Sequence, residues 1–310
     1  MPDGDVSDLL HPTPKTRLSD EQQAAFDLMR RFTETPWART LCVHGLAGTG
    51  KTTTLSEYAR DLGSSMHWLC CLTGKAASIL RRKTGLAATT IHSALYELEQ
   101  IKRDDRGRKE MKWHSTHERG SLQNRVVLVD ECGQVGENIM NDLLATGCAV
   151  IAAGDPGQLG PVKQPQYFRH ADFELTEIHR QALDSPIIRQ AHRVRQGLRY
   201  VADTEKFRVV SRAFDGDILD ADILLTWTNK RRMDLNAQAR RLRGIDSLTP
   251  VAGEPVMCRQ NYKPAGIFRG AIYKLAKPFR DGDTAITIDV DGEIITVQRV
   301  KFDGVRKPSQ

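Results

Sequence analysis

Gly45-Leu46-Ala47-Gly48-Thr49-Gly50-Lys51-Thr52 stands between an apolar run, Leu41 to His44, and a helical stretch that begins at Lys51. This G-x-x-x-x-G-K-T spacing constrains the chain more than any other feature, because it joins a strand, a glycine turn and a helix N-terminus in that order. Glycines let backbone N–H groups turn inward onto phosphate oxygens. Lys51 neutralises the outer phosphates, Thr52 offers a hydroxyl to Mg2+, and the helix N-terminus adds partial positive charge. Gly45, Gly48, Gly50, Lys51, Thr52 and Thr53 are therefore the candidate nucleotide-binding residues. The spacing differs from G-x-G-x-x-G, which argues against a dinucleotide cofactor.

Val126-Val127-Leu128-Val129-Asp130-Glu131 is an apolar strand ending in two carboxylates. Downstream of a phosphate cradle, Asp130 is suited to hold Mg2+ beside Thr52, and Glu131 to orient and deprotonate an attacking water, the step that separates hydrolysis from binding. Strand candidates at Leu41 to His44, His67 to Leu72, Val126 to Val129 and Ala149 to Ala153 alternate with helical stretches after Lys51, Lys75 and Glu137. That order predicts an α/β core, a parallel sheet with helices on both faces and ligand-binding loops at the carboxyl ends of its strands. Ser19-Asp20-Glu21-Gln22 has the form of a capping box, and Ala25, Leu28, Met29 and Phe32 follow at helical spacing. Ser185-Pro186 opens a helix running toward Gly197. Ile223 to Thr228 is a further strand candidate, followed by a basic helix ending before Gly244, and Asp291-Gly292 between two β segments predicts a two-residue hairpin.

Composition excludes several classes. A chain of 310 residues with 40% hydrophobic and 27% charged residues has enough core to fold without staples and is neither a disulfide scaffold nor disordered. No apolar run approaches the roughly 18 residues of a membrane helix, and the polar, acidic opening lacks the order of a secretory signal, so a cytoplasmic location is expected. The six cysteines never form C-x-x-C and are expected to be reduced and buried. His114 and His117, near Cys132, lack a fourth ligand at regular spacing, so no structural metal is expected there. Net charge is +6, and the stretch from Arg180 to Arg243 holds 14 Lys/Arg against 8 Asp/Glu. A smaller basic run spans Lys102 to Lys112. Basic stripes of this kind suit a polyanion.

Further stretches stand in a fixed order: Leu18-Ser19-Asp20-Glu21-Gln22, Leu72-Thr73-Gly74-Lys75-Ala76-Ala77, Thr90-Ile91-His92, Gly154-Asp155-Pro156-Gly157-Gln158-Leu159-Gly160-Pro161-Val162, Leu175-Thr176-Glu177-Ile178-His179-Arg180-Gln181, Thr226-Trp227-Thr228-Asn229-Lys230 and Gly253-Glu254-Pro255-Val256-Met257. With the cradle and the acid pair, they resemble superfamily 1 helicases of the RecD/Dda-like, 5′→3′ branch, particularly phage and bacterial exodeoxyribonuclease V alpha-subunit-like proteins, from about Leu18 to about Gly270. The resemblance implies that Gln22 reads adenine, Gln158 senses the γ-phosphate and Arg180 reaches it across a domain cleft. It also implies that Thr73, Lys75 and His92 contact DNA. The insertion Gln100 to Arg119, with its Asp105 to Arg108 turn and Trp113, lies where the family carries a strand-separating pin, and a charged loop remains the other reading. Gly160 replaces a usual proline, and Cys132-Gly133-Gln134 departs from the family after the acid pair.

The implied architecture is a P-loop NTPase of RecA-like fold. Its first ATP-binding lobe would span 1–175, a partial second RecA-like lobe 176–250 and a small SH3-like β module 251–310. The sequence reaches Gln310 without anything similar to the family's motifs V and VI, so a C-terminally incomplete motor is expected. The implied function is an ATP-dependent DNA helicase or translocase, using ATP and Mg2+ on single-stranded or forked DNA in recombination, repair or replication, with partner proteins from those processes. The alternative is an ATP- and DNA-binding regulator, or an inactive truncated helicase. A P-loop kinase fits less well, since the two stretches beginning at Gly154 and Leu175 match helicases better than an acceptor lid.

Overall fold

The structure, a computed structural model, describes residues 17–35, 38–103, 109–161, 164–179, 184–201, 207–247, 249–258, 267, 270–278, 285–290 and 292–298. The chain falls into two compact units, residues 1–201 and 202–310.

The first unit is built on a six-stranded sheet of β1 (Thr40–Gly45), β2 (His67–Cys71), β3 (Ala88–Thr90), β6 (Val126–Asp130), β7 (Ala149–Gly154) and β8 (Phe173–Leu175), in the order β3-β2-β6-β7-β1-β8. Every pairing in it is parallel. Strand β6 is buried along its whole length, and β1 and β7 at all but their first residue. Helices cover both faces, which is why these strands read as continuous apolar runs rather than alternating ones. The two edge strands, β3 and β8, have three residues each and escape a pattern search for that reason.

Helices α1 (Asp20–Glu34), α2 (Lys51–Leu62) and α3 (Gly74–Thr84) lie on one face, where Phe26, Met29, Leu55, Tyr58 and Leu80 pack on Val43, Leu69, Leu128 and Ile151. Each such side chain contributes about 1.5–3 kcal/mol through burial. The α1 start is the expected capping box, with the Ser19 side chain accepting from the Gln22 N–H and the Gln22 side chain accepting from the Ser19 N–H. Tyr58 is fully enclosed, its hydroxyl donating to the Met29 carbonyl at 3.1 Å and sharing a hydrogen bond with Thr33 at 2.6 Å. On the opposite face, Ile91 and Leu95 of α4 (Ile91–Leu95) and Met140 and Leu143 of α5 (Glu137–Ala145) pack with Val127, Val129 and Val150. Helix α6 (Pro186–Arg195) has Ser185 and Pro186 at its start, as predicted, and ends before Gly197.

An antiparallel hairpin of β4 (Tyr96–Arg103) and β5 (Lys109–Ser115) leaves this unit, with an irregularity between Leu98 and Gln100. The insertion is therefore a hairpin rather than a loop along those strands. Its Asp105 to Arg108 turn lies outside the described residues.

The second unit holds α7 (Asp215–Asp220), the basic α8 (Asn229–Leu242) capped by Thr228, and an antiparallel sheet in the order β12-β11-β10-β9. Its strands are β9 (Pro255–Met257), β10 (Ile272–Leu275), β11 (Ala285–Val290) and β12 (Glu293–Gln298), with a small core of Ile267, Leu275, Ile288 and Val297. The register pairs Val290 with Glu293, as a two-residue connection requires, and Asp291 itself lies outside the described residues. One expectation fails: Ile223 to Thr228 forms no strand. Leu225 is 87% and Trp227 90% exposed, and among the described residues no strand pairs with this segment. Apolar and β-branched composition makes a strand only where a neighbour completes the ladder. Among the described residues no helix is long and apolar enough to cross a membrane.

Candidate nucleotide site

The glycine loop between β1 and α2 sits at the carboxyl edge of the parallel sheet, and its conformation depends on two glycines. Gly48 and Gly50 have φ of 89° and 81°, in the left-handed region that costs other residues about 1–2 kcal/mol. At Gly50 a side chain would also meet the Gln22 amide, 1.9 Å from where its Cβ would sit. Gly45 is tight as well, its missing Cβ lying 2.5 Å from the Thr49 hydroxyl.

Lys51, the first residue of α2, donates from Nζ to the carbonyls of Gly45 and Leu46, each at 2.8 Å. Burial pushes its ammonium pKa down, against the opposing pull of Asp155, Glu131 and Asp130. Thr52 donates from Oγ1 to Asp130 Oδ2 at 2.9 Å, bringing together the hydroxyl and carboxylate that both sequence motifs assign to one divalent cation. Thr53 is half-buried in the same helical turn. Burial raises the Asp130 pKa, while the Thr52 hydroxyl and the Glu131 N–H favour its charged form. A buried carboxylate of this kind is short of positive charge, and the donor set suits a hard cation.

Glu131 is the one non-glycine residue with positive φ among those described, at 58°. The left-handed turn ends β6 and starts a 3-10 turn, Cys132–Gln134, with the Glu131 carboxylate exposed beside Asp130. Observed backbone strain of this kind clusters at functional sites.

The next strand end, after β7, carries Asp155. Its Oδ1 accepts the Gly157 N–H at 2.9 Å and forms an ion pair with the Arg195 guanidinium at the end of α6. Burial alone would raise the Asp155 pKa, yet Arg195 and the Gly157 N–H outweigh it and hold the carboxyl below its ordinary range. Arg195 had no motif to announce it, and its only sequence signal is membership of the basic stretch after Arg180. Gln158 is exposed, its backbone N–H bonded to the Asp155 carbonyl and its Cβ 3.8 Å from where a Gly133 side chain would begin.

Gln22 is buried beneath the loop. Its Nε2 donates to the Thr49 carbonyl at 3.2 Å and to His179 Nε2 at 2.7 Å, which leaves that imidazole nitrogen as the acceptor. The backbone N–H of His179 donates to the Gly48 carbonyl at 3.1 Å. The neighbouring Glu21 accepts from the N–H groups of Thr176 and Glu177 and from the Thr176 hydroxyl, at 2.7–2.8 Å. The first turn of α1 thus holds the segment following β8 against the phosphate loop. His179 and Glu21 escaped the sequence reading because both contacts join residues over 150 positions apart. Arg180 lies outside the described residues.

Of the residues implied to touch DNA, three follow β2 and β3 and one is on β5. Thr73 caps α3 by accepting the Ala76 N–H, and Lys75 is exposed in the first turn. His92 is exposed at the start of α4, its ring 5.7 Å from that of Tyr96. Because β2 and β3 are parallel neighbours, these three positions follow adjacent strand ends. Trp113 is on β5, opposite Leu98. The two histidines near the sheet do not join Cys132: His117 bonds the Ala94 carbonyl at 3.0 Å, and His114 is exposed. No disulfide links the six cysteines, five of which are buried.

Residues 17–210 match a family described as an AAA domain. The chain is 28% identical over 287 residues to an ATP-dependent RecD2 DNA helicase of Deinococcus radiodurans, an alignment covering 87% of this chain and 36% of that protein. It is 30% identical over 197 residues to the ATP-dependent DNA helicase dda of Enterobacteria phage T4, covering 58% and 43% respectively. The chain therefore spans less than half the length of these curated relatives. A crystal structure of Pif1 helicase from Bacteroides, in complex with ADP-AlF3 and ssDNA, shares the fold at a TM-score of 0.54 and 18% identity, covering 91% of this chain and 75% of that one. The phosphate loop, the acid pair on a RecA-like sheet and the matching family model show that the chain belongs to the AAA-domain family, and its similarity to the RecD2 and dda helicases supports the resemblance to the RecD/Dda-like branch of superfamily 1.

Proposed function

We propose that the chain is an ATP-dependent DNA helicase or translocase that hydrolyses ATP with Mg2+ and acts on single-stranded or forked DNA. The observation that carries the reading is the Thr52–Asp130 contact at 2.9 Å beside the left-handed Glu131, at the edge of the sheet that presents the phosphate loop. Thr52 and Asp130 would hold Mg2+, which when bound supplies positive charge to the phosphate oxygens. Lys51 neutralises the outer phosphates, and the N–H groups of the loop and of the first α2 turn orient them. Glu131 accepts the proton of the attacking water at its exposed carboxylate. Gln158 senses the outer phosphate, Gln22 supports the base end of the site, and Arg180 supplies positive charge to the transition state.

Lys75, with Thr73 and His92 beside it, would meet the DNA backbone, and Trp113 on the β4–β5 hairpin would help part the strands. Two named relatives are DNA helicases and the Pif1 crystal contains ssDNA, which supports DNA as the partner. A cytoplasmic setting and a role in recombination, repair or replication accord with those relatives.

The test is ATP turnover by the full chain with and without single-stranded DNA. DNA-stimulated turnover that disappears in Lys51→Ala and Glu131→Gln supports the motor. ATP and DNA binding with no turnover above Glu131→Gln identifies a regulator instead, and equal nucleotide binding by wild type and Lys51→Ala removes the site assignment.

A further inference from the structure

On the sheet face away from the phosphate loop's helix, two thiols and an imidazole meet in the core. Strand β1 places Cys42 and His44 two positions apart and so on one face, and Cys132 opens the turn directly after Glu131. The three are 3%, 3% and 0% exposed, and their sulfur and nitrogen ligand atoms lie within 4.8 Å of one another. We propose that Cys42, His44 and Cys132 form a binding site for a thiophilic d10 cation, of which Zn2+ is the probe. The proposal does not depend on the hydrolytic reading above.

The donor set carries the argument first. Two sulfurs and an imidazole nitrogen select zinc or copper(I) over the oxygen-seeking Mg2+ and Ca2+. Ligand atoms around tetrahedral zinc, with Zn–S near 2.3 Å and Zn–N near 2.0–2.1 Å, sit roughly 3.5–3.8 Å apart. The trio therefore needs to close by no more than about 1.3 Å.

The surroundings carry it second. The His44 ring hydrogen-bonds the Phe168 carbonyl, the kind of outer partner that orients a metal-binding imidazole, and Glu174 is its register partner on β8. The Cys132 thiol donates to the Cys42 sulfur, which also faces His44. Asp172 accepts the backbone N–H of Cys42 at 2.8 Å and so fixes that stretch of β1. Gly154 makes room on the far side, since a Cβ there would lie 2.5 Å from the Cys132 sulfur. Among the described residues no other buried thiol joins such a group. Binding would release the two thiol protons and leave both sulfurs as thiolates on the ion. It would also tie β1 to the turn that sets the Glu131 backbone.

The experiment uses the full chain, reduced and stripped of metal, titrated with Co2+ and then with Zn2+. One Co2+ per chain with a thiolate-to-cobalt charge-transfer band, displaced by Zn2+, is expected. Cys42→Ala and Cys132→Ala each abolish the band, and His44→Gln weakens binding by at least about 100-fold, beyond the effect of losing an outer partner. Cys258→Ser keeps the band. Circular dichroism accompanies each variant, and Cys42→Ala alone decides the matter if Cys132→Ala does not fold. A folded wild type with no band, a band that survives in Cys42→Ala, or loss of two hydrogens by mass on peroxide treatment in place of metal uptake would overturn the site.

Discussion

Gly157→Ala and Arg195→Ala should damage the same interaction, and their combined effect should reveal it. A Cβ at position 157 would lie 1.7 Å from an Arg195 Nη atom, so the guanidinium must move. Gly157 has no left-handed φ, and the displaced atom ends a flexible side chain, so neither backbone strain nor rigid overlap dominates the cost. What is lost is the ion pair to Asp155, whose side chain is 10% exposed against 30% for Arg195. A charge-assisted bond to a largely enclosed carboxylate contributes about 1.5–3 kcal/mol. Each single variant should lose roughly 2 kcal/mol in urea unfolding at pH 7, with an unchanged m-value. The double variant should lose no more than about 0.5 kcal/mol beyond either single one. Additive losses would refute the reasoning, because they would mean that residue 157 destabilises the turn by some other route. Arg195→Lys should recover part of the loss, since it keeps the charge without the planar fork.

Glu21 and Asp155 are held below their ordinary values of 4.5 and 3.8, so their stabilisation is complete above those values and disappears as pH falls through the lower folded-state ones. Glu21→Gln should therefore flatten the acid limb of urea midpoint against pH. Asp130, raised by burial, acts oppositely and cancels in that comparison, so an unchanged limb would remove the Glu21 contacts from the account. Tyr58→Phe should cost about 1–2 kcal/mol, because the Met29 carbonyl loses its hydroxyl partner in a closed core, and a cost near zero would show that the hydroxyl is not enclosed. Affinity for single-stranded DNA should fall steeply with salt, and Lys75→Ala should reduce the log–log slope by about 0.7. A slope unaffected by Lys75→Ala would take that residue out of the DNA footprint.

Local signals made much of this molecule legible. The glycine loop, the acid pair and the Ser19–Gln22 box are each set within a few residues, and each occupies the predicted place on a strand end or helix start. Short edge strands such as β3 and β8 have too few residues to carry a period. Leu225 and Trp227 show the opposite error, because apolar composition resembled a strand that no neighbour completes. Long-range partners were the hardest to read. Nothing near Arg195 points to Asp155, nor anything near His179 to Gln22, since folding alone makes them adjacent. Cys42 and His44 did share a two-residue spacing that puts both on one strand face. Cys132 completed the group only once β1 and β6 had taken their places in the sheet.

The position of β1 between β7 and β8 carries a consequence for synthesis. Val43, His44 and Gly45 align with Phe173, Glu174 and Leu175, so the strand leading into the phosphate loop has its outer neighbour about 130 residues downstream. Closing so large a separation is slow compared with forming helices. A nascent chain that has emerged only through Gly154 therefore carries β1 with one side unpaired, an edge to which a second nascent chain can add. The ribosome must deliver residues 173–175 before this edge is covered, which makes the interval between those two segments the period of greatest exposure to misassembly.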